Sequence, residues 1–163
     1  EVYDSISATG INEKYLNDVS LEGLKVSMDI AETMAGADIV VLALPSGVVL
    51  KVVEDVLPHL KNEQILLDLA KGLAPGDQMI SDVIAEKLDE AGLTCKLCVM
   101  MGPTIAPELA RGVFTTALVT SDNVTLAQAL AEALTTRTFK LSAATDSLGA
   151  EYWGAFKNVI ARG

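Results

Sequence analysis

The sequence predicts an α/β protein built on a doubly wound parallel sheet, and three observations predict it. Apolar runs of strand length recur without polar alternation at residues 39–44, 65–69 and 97–101, as expected of strands covered on both faces. Between them lie segments whose apolar residues fall at helical spacing. Each run stops at turn chemistry: Pro45-Ser46-Gly47, Ala70-Lys71-Gly72 and Gly102-Pro103-Thr104. The alternation βαβαβα implies parallel strands joined by right-handed crossovers.

Taken in order, Val2 and Ile6 are spaced for one helical face, which Thr9-Gly10 breaks before a polar loop over residues 12–19. Residues 24–28 form a short strand candidate, Asp29 is placed to cap a helix over 30–35, and Gly36 ends it. Val48, Val49, Val52, Val53, Val56, Leu57 and Leu60 then recur at helical spacing with Lys51, Glu54 and Asp55 opposite, so periodicity outweighs the strand propensity of valine. After the run at 65–69, Asp77 is read as the cap of a helix through Leu88, which Gly92 closes. Residues 113–119 form a further strand, Asp122 starts a helix carrying Leu126, Leu130 and Leu134, and residues 139–141 form a last short strand. From Thr145 the pattern changes, because Leu148, Tyr152, Phe156, Val159 and Ile160 recur at helical spacing. The division expected is a sheet domain over 1–143 and the first helix of a second, helical domain over 144–163.

Half of the 163 residues are hydrophobic, enough for one substantial core. No apolar stretch approaches the roughly 20 residues of a membrane span. The net charge of -10 opposes binding to nucleic acid or to an anionic membrane, so a phosphate would have to be held by a few individual lysines. Glu1 to Asp4 show neither an initiating Met nor a signal-peptide pattern, so the chain is expected to start inside a gene product, with a cytoplasmic location. Cys95 and Cys98 form a C-x-x-C within a strand candidate, where period-2 geometry sends them to opposite faces; they are read as buried structural thiols. His59 has no second histidine near it in sequence and is read as a surface residue, and no metal site is expected.

A parallel sheet brings the strand ends at Pro45-Ser46, Lys71-Gly72 and Gly102-Pro103-Thr104 to one edge, where small ligands bind. After Gly102-Pro103-Thr104 an alanine-rich segment starts a helix, whose first free amides favour an anion. A lysine at a strand end, beside a glycine that lets backbone approach a ligand, suits a phosphate or a carbonyl oxygen. In the last helix, Lys157 is surrounded by small and apolar residues. Such a lysine either snorkels to solvent or is held where desolvation tunes its pKa.

These features together resemble the NAD(P)-dependent glycerol-3-phosphate dehydrogenases. The residues that carry the resemblance are Lys14-Tyr15-Leu16, Leu44-Pro45-Ser46, Lys71-Gly72, Gly102-Pro103-Thr104-Ile105-Ala106 with Glu108, Ala110, Arg111 and Gly112, Asp146 before Gly149, and Gly154-Ala155-Phe156-Lys157-Asn158-Val159-Ile160-Ala161. Their order and spacing match along essentially the whole chain. The resemblance implies a Rossmann-like dinucleotide-binding domain over 1–143, incomplete at its N-terminus, then the start of a helical substrate domain. It implies interconversion of dihydroxyacetone phosphate and sn-glycerol 3-phosphate with NAD or NADP, feeding glycerophospholipid synthesis, and it leaves a homodimer open. By the resemblance Lys157 and Lys71 are catalytic, Lys157 exchanging the substrate proton, Lys71 contacts cofactor and substrate, Gly102 and Thr104 with Lys157 hold glycerol 3-phosphate, and Ala106 and Tyr15 lie on the cofactor side.

The sequence also departs from the family pattern. No G-x-G-x-x-G occurs at any glycine, Tyr152 and Trp153 stand where small residues are expected before Gly154, and Arg162 stands where small apolar residues are expected. A β-hydroxyacid dehydrogenase of the 3-hydroxyisobutyrate or 6-phosphogluconate type is the enzymatic alternative, but it calls for Asn four residues after the lysine, where Ala161 stands. A non-catalytic fragment or interaction module is the alternative of another class. Without the fingerprint's helix terminus for a pyrophosphate, the 163-residue chain alone is expected to bind NAD(P)H weakly or not at all. Calorimetric titration giving a micromolar dissociation constant would contradict this.

Overall fold

The computed structural model describes the backbone of residues 1–160 and the side chains of residues 1–156. Helix α1 (Val2–Thr9) ends at Gly10, whose positive φ of 68° closes it, and leads into a hairpin of β1 (Ile11–Asn12) and β2 (Leu16–Ser20). The hairpin replaces the expected polar loop, and residues 24–28 are not a strand. The isolated ribbon forms through its own pairing, Ile11 with Ser20, rather than through burial, so hydrophobic patterning does not reveal it. Asp29 caps α2 (Ile30–Met34) as expected, accepting from the Glu32 amide at 3.0 Å.

The main sheet has five strands in the order β3 (Ile39–Leu42), β4 (Ile65–Asp68), β5 (Lys96–Met101), β6 (Thr115–Thr120) and β7 (Phe139–Ala144). Strands β3, β4 and β5 are parallel and in step, Leu42 beside Asp68 and Asp68 beside Val99. Their carboxyl ends therefore lie side by side, as the α/β alternation requires. Helices α3 (Ser46–Val56) and α4 (Ile80–Glu90) cover one face through Val49, Val53, Ile80, Ile84 and Leu88 packed on Leu66. Helix α6 (Val124–Leu134) covers the other through Ala127 and Leu130 on Leu67 and Cys98. Each fully buried Val, Leu or Ile contributes roughly 1.5–3 kcal/mol.

One seam departs from an all-parallel sheet: β5 and β6 are antiparallel, Met101 beside Leu118, while β6 and β7 are again parallel. Strand β5 spans six residues, about 20 Å, but α5 (Ala106–Ala110) has only five, about 7.5 Å of helix. Residues 102–114 join β5 to β6 and hold only this short helix, whereas residues 121–138 join β6 to β7 and hold the eleven-residue α6.

Helix α7 (Ser147–Ile160) follows β7 and climbs over β5. Asp146 opens it by accepting from the Gly149 amide at 2.8 Å. The side it turns to the sheet carries Ala150, Glu151 and Gly154, while Leu148, Tyr152, Trp153 and Phe156 are exposed. The small residues are what permit contact: a Cβ on Gly154 would stand 2.7 Å from Met101 Sδ. The expected helical cap at Asp77 is not made. Asp77 sits in a turn with φ of 60°, and Met79 occupies the N-cap position of α4 without a side-chain bond. The helix over Leu126 is capped by Asn123, one residue after Asp122. Cys98 is buried on β5 as expected, whereas Cys95 precedes the strand and is only half-buried; both are free thiols.

Asp68 interrupts the apolar run of β4 and is wholly buried. Its Oδ1 accepts from the Ala70 amide at 3.0 Å, and its Oδ2 has no hydrogen bond. Burial pushes its pKa up to about 7, and the neighbouring Glu151 carboxylate pushes the same way. The unfolded carboxyl, near its ordinary value of 3.8, releases a proton that the folded one keeps, so this group's contribution to stability falls as pH rises from about 4 through about 7. Asp68→Asn removes a proton that can be lost. The stability difference between Asp68→Asn and the parent chain, read from urea unfolding, should therefore move in favour of the variant between about pH 5 and about pH 8. A difference independent of pH would show that Asp68 is not protonated in the fold.

Candidate functional site

The parallel step of β3, β4 and β5 brings three connections together. After β3, Pro45 leads into α3, whose first amides, at Ser46 and Gly47, have no partner within the helix and carry the positive end of its dipole. After β4 comes Lys71, and after β5 the loop Gly102-Pro103-Thr104. Lys71 Nζ donates to Thr104 Oγ1 at 3.1 Å across the two strand ends. Lys71, Thr104, Gly102 and Ser46 line a cavity of about 340 Å³. Lys71 and Thr104 are both half-buried, so the cation and the hydroxyl face a recess rather than bulk water.

Two glycines shape this recess for different reasons. Gly72 has φ of 148°, and a Cβ on it would lie 2.7 Å from Ser46 Oγ, so the lysine loop can close against α3 only without a side chain. At Gly102 a Cβ would lie 2.9 Å from Ala117 Cα and Thr116 O, which makes this glycine a condition of β5 packing on β6. Gly47 has open space around its Cβ direction, leaving room for a ligand at the α3 amides. The anion-favouring helix terminus is thus that of α3. Helix α5, expected to offer one after Thr104, is only five residues long with Pro107 in its first turn.

A second cavity, about 610 Å³ and mostly apolar, shares Met101 and Gly102 with the first and runs between the end of β5 and α7, against Trp153 and Gly154. Position 157 is on α7, one turn beyond Gly154; the side chain of Lys157 lies outside the described residues. Ala106 and Tyr15 do not line either cavity. Ala106 is exposed at the start of α5, and Tyr15 is 64 % exposed on the hairpin with Lys14 Nζ 5.5 Å from its ring centre. The hairpin is nevertheless joined to α5, because Arg111 Nε donates to Asp18 at 2.8 Å. This bond lowers the pKa of Asp18 from its ordinary value. Among the described residues no group of His, Cys, Asp and Glu could hold a metal ion, and no helix is long and apolar enough to cross a membrane.

With the geometry in view, residues 1–127 match the family described as NAD-dependent glycerol-3-phosphate dehydrogenase N-terminus. The chain belongs to that family. It is 38 % identical over 152 residues to a glycerol-3-phosphate dehydrogenase of the NAD(P)+ type from Syntrophotalea carbinolica, covering 92 % of this chain and 45 % of the relative. It is 38 % identical over 163 residues to the enzyme of that name from Rhodospirillum rubrum, covering 99 % and 46 %. The crystal structure of glycerol-3-phosphate dehydrogenase from Coxiella burnetii superposes with a TM-score of 0.88 at 27 % identity, over 98 % of this chain and 48 % of that one. The chain thus spans about half the length of the relatives it matches. The family's N-terminal, NAD-dependent half is a Rossmann-type sheet, and the strand ends described above are its carboxyl edge.

Sequence reasoning brought Lys71, Gly102 and Thr104 to one place and gave no role to Asp68, Ser81 or Glu151. The signal at Asp68 was a lone carboxylate breaking an otherwise apolar run. At Glu151 it was a charge between the small residues Ala150 and Gly154, three positions from the latter. The site's glycines can be tested together. Gly72→Ala should cost about 1–3 kcal/mol of folding stability through strain and overlap with Ser46. Gly47→Ala, in a helix with open space, should be neutral or stabilise by up to about 1 kcal/mol. Urea unfolding of both variants checks this, and equal effects would contradict the close approach at Gly72.

Proposed function

We propose that the protein of which this chain is part reduces dihydroxyacetone phosphate to sn-glycerol 3-phosphate, and reoxidises it, with NAD or NADP. The observation that carries the reading is the meeting of Lys71 and Thr104 at 3.1 Å, in a cavity at the strand edge of a chain of this family. A bound reduced nicotinamide supplies the hydride that adds to the substrate's carbonyl carbon. The residues fit such a cofactor, because the open α3 amides can face its phosphate or carboxamide groups and Lys71 stands between them and Thr104.

The chain's own residues then bind and hold protons. Thr104 Oγ1 and the loop amides after Gly102 bind the substrate's phosphate end, a part that does not react. Lys71 serves both ligands as a fixed positive charge. As hydride arrives, negative charge grows on the carbonyl oxygen, and Lys157 gives it a proton; in the reverse direction it takes that proton back. An amine can both give and take a proton, which a guanidinium cannot. Ala106 and Tyr15, on elements joined by the Arg111 to Asp18 bond, flank the cofactor side. Residues 144–163 open the helical substrate domain. The β-hydroxyacid dehydrogenase reading has no observation in its favour.

In the full-length protein, Lys157→Met should lower kcat by about 10²-fold or more while folding and cofactor binding stay near those of the parent. Lys157→Arg should not restore it, since guanidinium stays protonated. Steady-state kinetics with dihydroxyacetone phosphate and both reduced cofactors, with circular dichroism for folding, measure this. A folded Lys157→Met variant that keeps most of its turnover would remove Lys157 from the reaction. A parent protein with no turnover would remove the proposed function.

A further inference from the structure

Glu151 is a carboxylate on a helix with 1 % of its surface exposed, and its partners belong to another element. Its Oε1 accepts from the Ser81 amide at 3.2 Å, and its Oε2 accepts from the Ser81 hydroxyl. Burial pushes its pKa up, and the Ser81 hydroxyl with the Ser81 and Ile80 amides pulls it part of the way back. Ile80 and Ser81 are the first two residues of α4, and Met79 before them offers no capping side chain. The first amides of a helix need an acceptor and favour a negative one. Usually a neighbouring side chain provides it. Here the acceptor is 70 residues further along the chain, on α7.

The contact completes α4 and also fastens α7. Along α7, Glu151 stands near Asp68, which is level with Val99 in the sheet. Gly154 meets Met101, two residues further up β5. Position 157 is another three residues on, about 4.5 Å along the helix axis, towards the Gly102-Thr104 loop. Gly154 sets how closely α7 approaches the sheet, but a surface without a side chain does not resist sliding or rotation. The Ser81 bonds do.

We propose that Glu151 is a positioning residue for the reaction: by capping α4 it fixes the height and rotation of α7, and so the point at which that helix brings Lys157 to the strand ends. The proposal rests on the role given to Lys157 above. Replacing Glu151 with alanine leaves the α4 amides without their acceptor and lets α7 shift, and a displacement of about 1 Å at a reacting group can cost about 10²-fold in rate. Glutamine preserves the arrangement, since its carbonyl can accept from the Ser81 amide while its NH₂ donates to the Ser81 hydroxyl.

The test compares Glu151→Ala, Glu151→Gln and Ser81→Ala in the full-length protein. Two readouts are used: steady-state kinetics with titrated cofactor affinity, and labelling of Lys157 by limiting acetic anhydride followed by mass spectrometry. Glu151→Ala should lower kcat by about 10- to 100-fold at nearly unchanged cofactor affinity. It should also change the labelling rate of Lys157 several-fold. Glu151→Gln should bring both back to within about threefold of the parent, and Ser81→Ala, which keeps the amide contact, should fall between. Parental kcat and labelling in Glu151→Ala would overturn the proposal. So would a loss of cofactor affinity as large as the loss of kcat. Should Glu151→Ala fail to fold, Ser81→Ala decides, and parental values there overturn it. Labelling reads the lysine's setting without turnover, so an inactive parent protein would count against the proposed function and leave this test standing.

Discussion

Everything at the site depends on β3, β4 and β5 running parallel and in step. Leu42, Asp68 and Val99 stand in one row, so the connections that follow them emerge at one edge within reach of each other. Lys71 and Thr104 are 33 residues apart in sequence and touch only because of that row. Gly72 lets the lysine loop close on α3, and Gly102 lets β5 approach β6, so each cavity-lining segment is held by packing next to it. The same row explains why the amides of α3 face the cavity while the short α5 has little dipole to offer.

The helix that climbs over β5 shows the opposite use of small residues. Ala150 and Gly154 lie against the sheet, and the large apolar side chains Tyr152, Trp153 and Phe156 point outward, with Tyr152 and Phe156 stacked at 6.0 Å. Close approach leaves little room for a polar group, yet Glu151 is buried there, because its carboxylate answers the unmet amides of α4. Asp68 has only one of its oxygens satisfied; burial raises its proton affinity, and the nearby Glu151 carboxylate raises it further. A buried carboxyl of this kind lowers stability at neutral pH. Keeping one beside the helix that bears Lys157 is an expense that packing alone does not explain.

Much of this could be read from the residues. The valines of α3 fall at helical spacing although valine favours strands, and the apolar runs ending at Leu44, Leu69 and Met101 lack the alternation of half-exposed strands. Those patterns give element type, and turn residues give the ends, which together place Lys71 and Thr104 at one edge. Strand direction is not encoded in periodicity. The antiparallel seam between β5 and β6 therefore leaves no mark in the spacing of apolar residues. Periodicity on α7 likewise shows which residues share a face, not which face meets the sheet. The cap of α4 was misplaced at Asp77 because its true acceptor is distant in sequence, and the hairpin at β2 was missed because its residues bury almost nothing.

The central claim is that Lys71 and Thr104 act as one ligand-holding unit. A double-mutant cycle in the full-length protein, with Lys71→Met, Thr104→Val and the double variant, tests it through the affinity for dihydroxyacetone phosphate in the presence of cofactor. Side chains that share one ligand and one hydrogen bond should be coupled by about 0.5–3 kcal/mol, so that the double variant loses measurably less affinity than the two single losses combined. Losses that simply add would mean that the two side chains serve different ligands, and would contradict the account.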